Sequence, residues 1–165
     1  SDPRVLTVLA AGMHKPYVHA ADDFAVREHF SFANQADAAC SYTDVAFDRF
    51  ATRFPKISTA HLYPGVVRTN WMIELPLSVR CLAWTLCGAC LWTCVKSGDD
   101  VGVEFARALL LDEKSGGGGY RTVGPRARPA RKNWGKDGQE SEEYKKIVWD
   151  ATASTLKERC GVDVS

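Results

Sequence analysis

The chain begins with a run that shows no alternation of apolar and polar positions: Val5-Leu6-Thr7-Val8-Leu9-Ala10-Ala11, between Arg4 and Gly12. A strand apolar on both faces belongs inside a sheet, usually a parallel one. Such a strand needs neighbours on both sides, and this chain offers few. Ser1 stands where an initiator Met would be. The pattern therefore predicts a sheet that is part of a larger domain.

Between residues 31 and 54 the period becomes helical. Phe32, Ala36, Ala39, Cys40, Thr43, Ala46, Phe47, Phe50 and Phe54 recur mostly at steps of three and four, which predicts an inward stripe on one face. Ser31 suits the N-cap, and Pro55 stops the helix. Asp37, Asp44, Asp48, Arg49 and Arg53 fall off the stripe and are expected to face water or a partner. Residues 57–62 are rich in β-formers and close on Pro64-Gly65, which predicts a second strand ended by a turn. Strand, long helix, strand is a βαβ unit with parallel strands and a right-handed crossover. The polar stretch 13–30 is longer than a usual βα loop. Loops at the carboxyl ends of parallel strands are where α/β proteins bind ligands.

Beyond the turn, residues 66–76 are mixed, and residues 81–95 run uncharged between Arg80 and Lys96. Ser97, Asp99 and Asp100 suit the start of a helix that turns Val101, Phe105, Ala108 and Leu109 inward. Gly116 to Gly119 break the chain before a short last strand at 120–123. Residues 125–136 carry Arg126, Arg128, Arg131, Lys132 and Lys136 among Pro and Gly and read as an exposed basic linker. Residues 137–165 read as a C-terminal helix. Asp137 and Glu140 form its capping-box-like start, Tyr144, Ile147, Val148, Ala151 and Leu156 its apolar side, and Gly161 its end. The fold class is α/β, a parallel sheet with flanking helices.

Composition narrows the class. Of 165 residues, 45% are hydrophobic and 25% charged, enough for a folded core. With 21 Lys+Arg against 20 Asp+Glu the net charge is +1, which lacks the basic footprint of a nucleic-acid binder. Six cysteines are too few for a disulfide scaffold at this length, and no secretory signal opens the sequence. Free thiols and a cytoplasmic location are expected.

The glycine run at 116–119 has a helix before it and a strand after it, the reverse of a phosphate loop, and neither GxGxxG nor GxxxxGK[ST] occurs. Cys81, Cys87, Cys90 and Cys94 include one CxxC spacing, but their Leu-, Ala- and Trp-rich surroundings favour small apolar cysteines over a metal. Fifteen uncharged residues fall short of the ~20 that span a bilayer, so membrane contact is disfavoured, although Trp84 and Trp92 would suit an interfacial helix. His14, His19 and His29 lie in the long loop, and His61, on a strand just before the turn, is the best placed for chemistry. The acidic pair Asp22-Asp23 reads as solvated loop. The segment Tyr63-Pro64-Gly65-Val66-Val67-Arg68-Thr69 admits two readings: an ordinary β-to-α turn, or a turn whose Val66 and Val67 backbone holds a planar amide while Thr69 donates to a ligand.

Together, the strand at 5–9, the helix at 31–54, the strand at 57–62 and Pro64-Gly65-Val66-Val67-Arg68-Thr69 resemble the C-terminal half of a short-chain dehydrogenase/reductase, in which PGxxxT follows the sixth strand. Phe54-Pro55-Lys56-Ile57 and His61-Leu62-Tyr63-Pro64-Gly65 are similar to divergent fungal members. The resemblance covers roughly residues 4–123. It implies a partial Rossmann-like parallel sheet across 1–124, NADP or NAD as cofactor, and Pro64, Gly65, Val66, Val67 and Thr69 as nicotinamide-side contacts. It further implies carbonyl/alcohol interconversion on a small apolar substrate, residues 81–95 as a lid, and a homodimer through Phe47 and Phe50, which helix-on-sheet packing explains equally well.

Two departures bear on activity. The TGxxxGxG fingerprint is missing, and counting back from Pro64 sets the family's Tyr-x-x-x-Lys at Asn34 and Ala38. Tyr42 has Ala46 four residues on. The Lys is what lowers the Tyr pKa for proton donation, and neither Tyr17 nor Tyr63 has the spacing to replace the pair. The catalytic residue is therefore unassigned. The alternative is a non-catalytic or truncated relative that acts by binding. A third reading is a membrane-surface protein using the Trp-rich segment and the basic linker.

Overall fold

Three short segments pair side by side in register, and their hydrogen bonds fix the frame for everything else. In the computed structural model, residues 3–67, 76–81, 95–110, 119–124 and 141–164 are described. Strand β1 (Arg4–Val8) leads into helix α1 (Phe32–Arg53) and strand β2 (Ser58–Leu62); helix α2 (Gly98–Leu110), strand β3 (Tyr120–Val123) and helix α3 (Glu142–Cys160) follow. The sheet has the order β1-β2-β3, and both pairings are parallel. Thr7 lies opposite His61 and His61 opposite Thr122. The chain is thus α/β, an open parallel sheet with helices on its faces.

Parity along β2 divides the two faces. Ala60 and Leu62 point to one side, where they pack with Val123 of β3, Val101 and Phe105 of α2, and the half-buried Leu6 and Val67. Thr59 and His61 point to the other, toward α1. Two right-handed crossovers stepping the same way across a sheet would put both helices on one face. Here α1 and α2 lie on opposite faces, so one of the two connections departs from that rule.

The first strand does not sit inside the described sheet. β1 is an edge strand with Arg4, Val5 and Val8 exposed, and β2 takes the central place with four of its five residues buried. Apolar composition alone ranks Val5-Leu6-Thr7-Val8 above Ser58–Leu62. Position is decided instead by which strand has helices to cover it.

Helix α1 starts and stops where its caps dictate. Ser31 is extended and its hydroxyl accepts from Asn34 N at 3.0 Å, and Phe54 N closes on Phe50 O at 2.9 Å ahead of Pro55. Its buried face shares only Cys40 with the expected stripe. The buried residues are Ala38, Cys40, Ser41, Asp44, Val45 and Ala51, whereas Phe32 is 88% exposed and Phe50 and Phe54 also face out. The cause is that α1 is covered on two sides. Cys40 and Asp44 face the sheet side, while Ala38 and Val45 join Tyr17, Ala20, Val26 and α3 residue Val148 in a second core, with Phe24, Tyr42, Tyr144 and Ile147 around it. Small residues let the two layers approach closely, so bulk is a poor guide to which face is inside. Val148 and Leu62 are fully enclosed, each stabilising by roughly 1.5–3 kcal/mol.

The five charges off the stripe each meet a different group. Asp37 receives His14 Nδ1 at 3.0 Å and Lys15 N at 3.3 Å. Asp44 receives His61. Asp48 meets Lys145 Nζ at 3.0 Å, Arg49 meets Glu142 at 3.7 Å, and Arg53 donates to Val164 O at 2.8 Å. Two of the five, Asp48 and Arg49, thus meet α3, and Arg53 meets the segment just beyond it. That helix has its N-cap at Ser141, whose hydroxyl accepts from Tyr144 N at 3.1 Å; Asp137 and Glu140, the expected capping box, lie outside the described residues. Glu142 and Glu143 in its first turn suit the helix dipole. Gly161, at φ 67, closes it in the left-handed conformation expected of a C-terminal glycine.

Candidate functional site

All three strands run the same way, so their carboxyl ends gather on one rim. The ladder continues there through Leu9 N to Leu62 O (2.9 Å) and Tyr63 N to Val123 O (2.8 Å). The chain then turns away at Gly12 (φ 70) and at Gly65 (φ 78), both in a region that favours glycine. Pro64 and Gly65 are half-buried on this rim, and Val66 is exposed. The Val66 carbonyl accepts from Lys96 N at 3.0 Å, and Val67 forms a parallel bridge with Lys96 while its side chain packs on the α2-side core. Much of the Val66-Val67 backbone and bulk is thus used to seat the turn against the segment leading into α2. Thr69 and Arg68 lie outside the described residues, as do residues 82–94 of the expected lid, Cys87, Cys90, Cys94 and the 125–136 linker.

The loop after β1 folds back over the first turns of α1. His14 and Asp37 form a half-buried pair there, and the Cys40 thiol approaches the Ala10 backbone. Burial, reinforced by Asp44, pushes that thiol up to about 11, so Cys40 is held protonated at neutral pH and is no nucleophile. Cys40 and Cys160 are free thiols. Asn34 donates from Nδ2 to His29 O at 2.7 Å, and Ala38 is buried in the core beneath α3.

Beneath the rim, between sheet and helix, lies a polar centre that the sequence did not single out as a unit. His61 is fully enclosed and its Nδ1 lies 2.5 Å from Asp44 Oδ1. Tyr120, from the start of β3, donates its hydroxyl to the same Asp44 oxygen. Burial and the adjacent Asp44 drive the Tyr120 hydroxyl far above its ordinary range. His61 Nε2 is buried with no hydrogen-bond partner among the described residues. His61, the histidine best placed for chemistry on sequence, is fully enclosed and ties β2 to α1 rather than opening onto the rim. The available signal was a histidine at the same parity as Thr59 in β2, facing a helix with an Asp one turn beyond Cys40.

A second centre occupies the 13–30 loop. Asp23, expected to be solvated, is buried; its Oδ1 accepts from Arg27 N at 2.7 Å, and its Oδ2 from Glu28 N at 3.1 Å, His29 N at 2.8 Å and Tyr17 Oη at 3.1 Å. Burial pushes its carboxyl up, but these donors outweigh it and hold the group down at about 2. Burial and Asp23 together push the Tyr17 hydroxyl up to about 12, which removes it as a proton donor near neutrality. Val26 holds φ 52, a costly value for a β-branched residue, in the turn that Asp23 closes. Among the described residues no helix is long and apolar enough to cross a membrane. Comparisons with protein-family models, curated proteins and solved structures give no match to this chain.

Proposed function

We propose that the chain forms the nicotinamide-side half of an NAD(P)-dependent oxidoreductase of the short-chain dehydrogenase/reductase type, acting in carbonyl/alcohol interconversion on a small apolar substrate. The observation that carries this reading is the Pro64-Gly65 turn at the carboxyl end of the central parallel strand, reached through a long helical crossover from its neighbour. Ligands of open α/β sheets lie outside the carboxyl ends of the strands, and a glycine at positive φ lets a flat ring approach the backbone there. In this reading the partial sheet is Rossmann-like, Pro64, Gly65, Val66, Val67 and Thr69 contact the nicotinamide, and exposed Phe50 lies on the surface of a homodimer.

A second reading, a relative that binds without catalysis, is favoured by a specific observation. Asn34 and Ala38 replace the Tyr and Lys that the chemistry needs, and Ala38 points into the core under α3 rather than to the rim. Titration of the chain with NADH and NADPH, followed by nicotinamide fluorescence, separates these outcomes. Saturable binding of either dinucleotide with oxidation by small aldehydes or ketones supports the enzyme. Binding without turnover supports the second reading. No response to either dinucleotide removes the enzyme and supports a truncated relative without a dinucleotide site.

A further inference from the structure

Within the 13–30 loop, His19, Asp22 and His29 each bring one ligand atom to within 4.8 Å of the others. The two imidazoles are stacked, with centroids 3.7 Å apart and planes 3° from parallel, and His19 Nδ1 lies 3.8 Å from Asp22 Oδ2. We propose that these three side chains form a binding site for a divalent transition-metal ion of the zinc class. This site is independent of dinucleotide binding at the strand ends.

The donor set selects the ion. Two neutral imidazoles and one carboxylate suit zinc and its first-row neighbours, while calcium and magnesium want oxygen ligands throughout. Three protein ligands leave a further position to water. Metal–nitrogen bonds of 2.0–2.1 Å place tetrahedral donors about 3.3 Å apart. Closing from the present spacing of up to 4.8 Å asks the two stacked rings to rotate apart so that their ligand atoms converge.

The backbone is already held for this. Asp23 N donates to His19 O at 2.8 Å, while the Asp23 carboxylate receives His29 N at 2.8 Å, so one residue clamps both ends of the 19–29 loop. His29 Nδ1 is buried and pairs with Asp23 Oδ2 at 3.4 Å, with no closer hydrogen bond among the described residues. A carboxylate beside the second nitrogen of a histidine is the outer partner that orients the ring and raises its basicity as a ligand. Asp22 and Asp23 together balance the 2+ charge.

The test is calorimetric titration of the full chain with zinc chloride in a non-coordinating buffer, after alkylation of the thiols, with cobalt(II) absorbance in parallel. One ion per chain is expected, with visible cobalt d–d bands and no thiolate charge-transfer band. His29→Ala should abolish the isotherm. Asp22→Asn, at an exposed position, should weaken it by no less than the roughly 10–100-fold that outer partners of metal sites are worth. His14→Ala, whose ring pairs with Asp37, should leave it unchanged. Calcium should not displace the ion, and affinity should fall with pH as protons compete for the imidazoles. No binding by the alkylated chain, equal binding by all variants, or displacement by calcium overturns the proposal.

Discussion

Two buried carboxylates, Asp23 and Asp44, do opposite jobs in this molecule. Asp23 sits in a loop, where it collects three backbone N–H groups plus a phenol, all from within six residues. Asp44 sits inside α1, where neighbouring N–H groups already serve the helix. Its described partners are side chains from β2 and β3, 17 and 76 residues away. A carboxylate satisfied by its own loop shapes that loop; one satisfied from a distance joins layers. Asp23 therefore organises the candidate metal loop, and Asp44 holds α1 to the sheet.

The largest effect that follows is at Asp44. Asp44→Ala strands the buried His61 Nδ1 and the Tyr120 hydroxyl together, and should destabilise the fold by about 3–5 kcal/mol in denaturant unfolding. A loss below about 1 kcal/mol would mean that water reaches the pair and that the layers are joined by apolar contacts alone.

Next comes Asp23, and its signature is a pH window. Its folded pKa lies below its unfolded one, so its contribution is fully present above about pH 4 and is lost as pH falls through about 2. Asp23→Asn should lower the melting temperature at neutral pH and flatten its fall between those limits. An unchanged acid slope would show that the carboxylate is not held by its four donors.

Much of the architecture was legible in the sequence. The β1, α1, β2, α2 and β3 segments follow from periodicity, the Ser31 cap and the Pro-Gly turn, because those signals are local. The faces of α1 were not legible. A stripe of aromatic residues outweighs Ala38, Ser41 and Val45 in any pattern, yet a helix covered by a sheet on one side and by α3 on the other needs small residues at both contacts. The polar centre was hidden for a related reason: Asp44 is partnered across 76 residues, which no window spans. Of the candidate rim, Pro64 and Gly65 could be read from the turn, whereas the engagement of Val66 by Lys96 depends on a bridge of two distant segments.

A matched pair of phenols sharpens the contrast further. Tyr120→Phe takes one of two donors from Asp44 and should cost about 1–1.5 kcal/mol. It would be expected to lose most of that penalty in the Asp44→Ala background, because the partner is already gone. A full penalty there would assign the effect to packing of the ring.

Tyr17→Phe takes one of four donors from Asp23, and the three backbone N–H groups remain, so the loss near neutrality should be smaller than at Tyr120. Its mark appears in alkali. The Tyr17 hydroxyl is raised to about 12 in the folded chain, above its unfolded value near 10. A raised pKa stabilises fully below the unfolded value and is lost as pH climbs through the folded one. Tyr17→Phe should therefore lose less stability than the parent chain between about pH 10 and 12 when unfolding is followed by circular dichroism. Equal alkaline slopes would show that the phenol ionises freely in the folded loop, and that Asp23 commands its backbone without help from Tyr17.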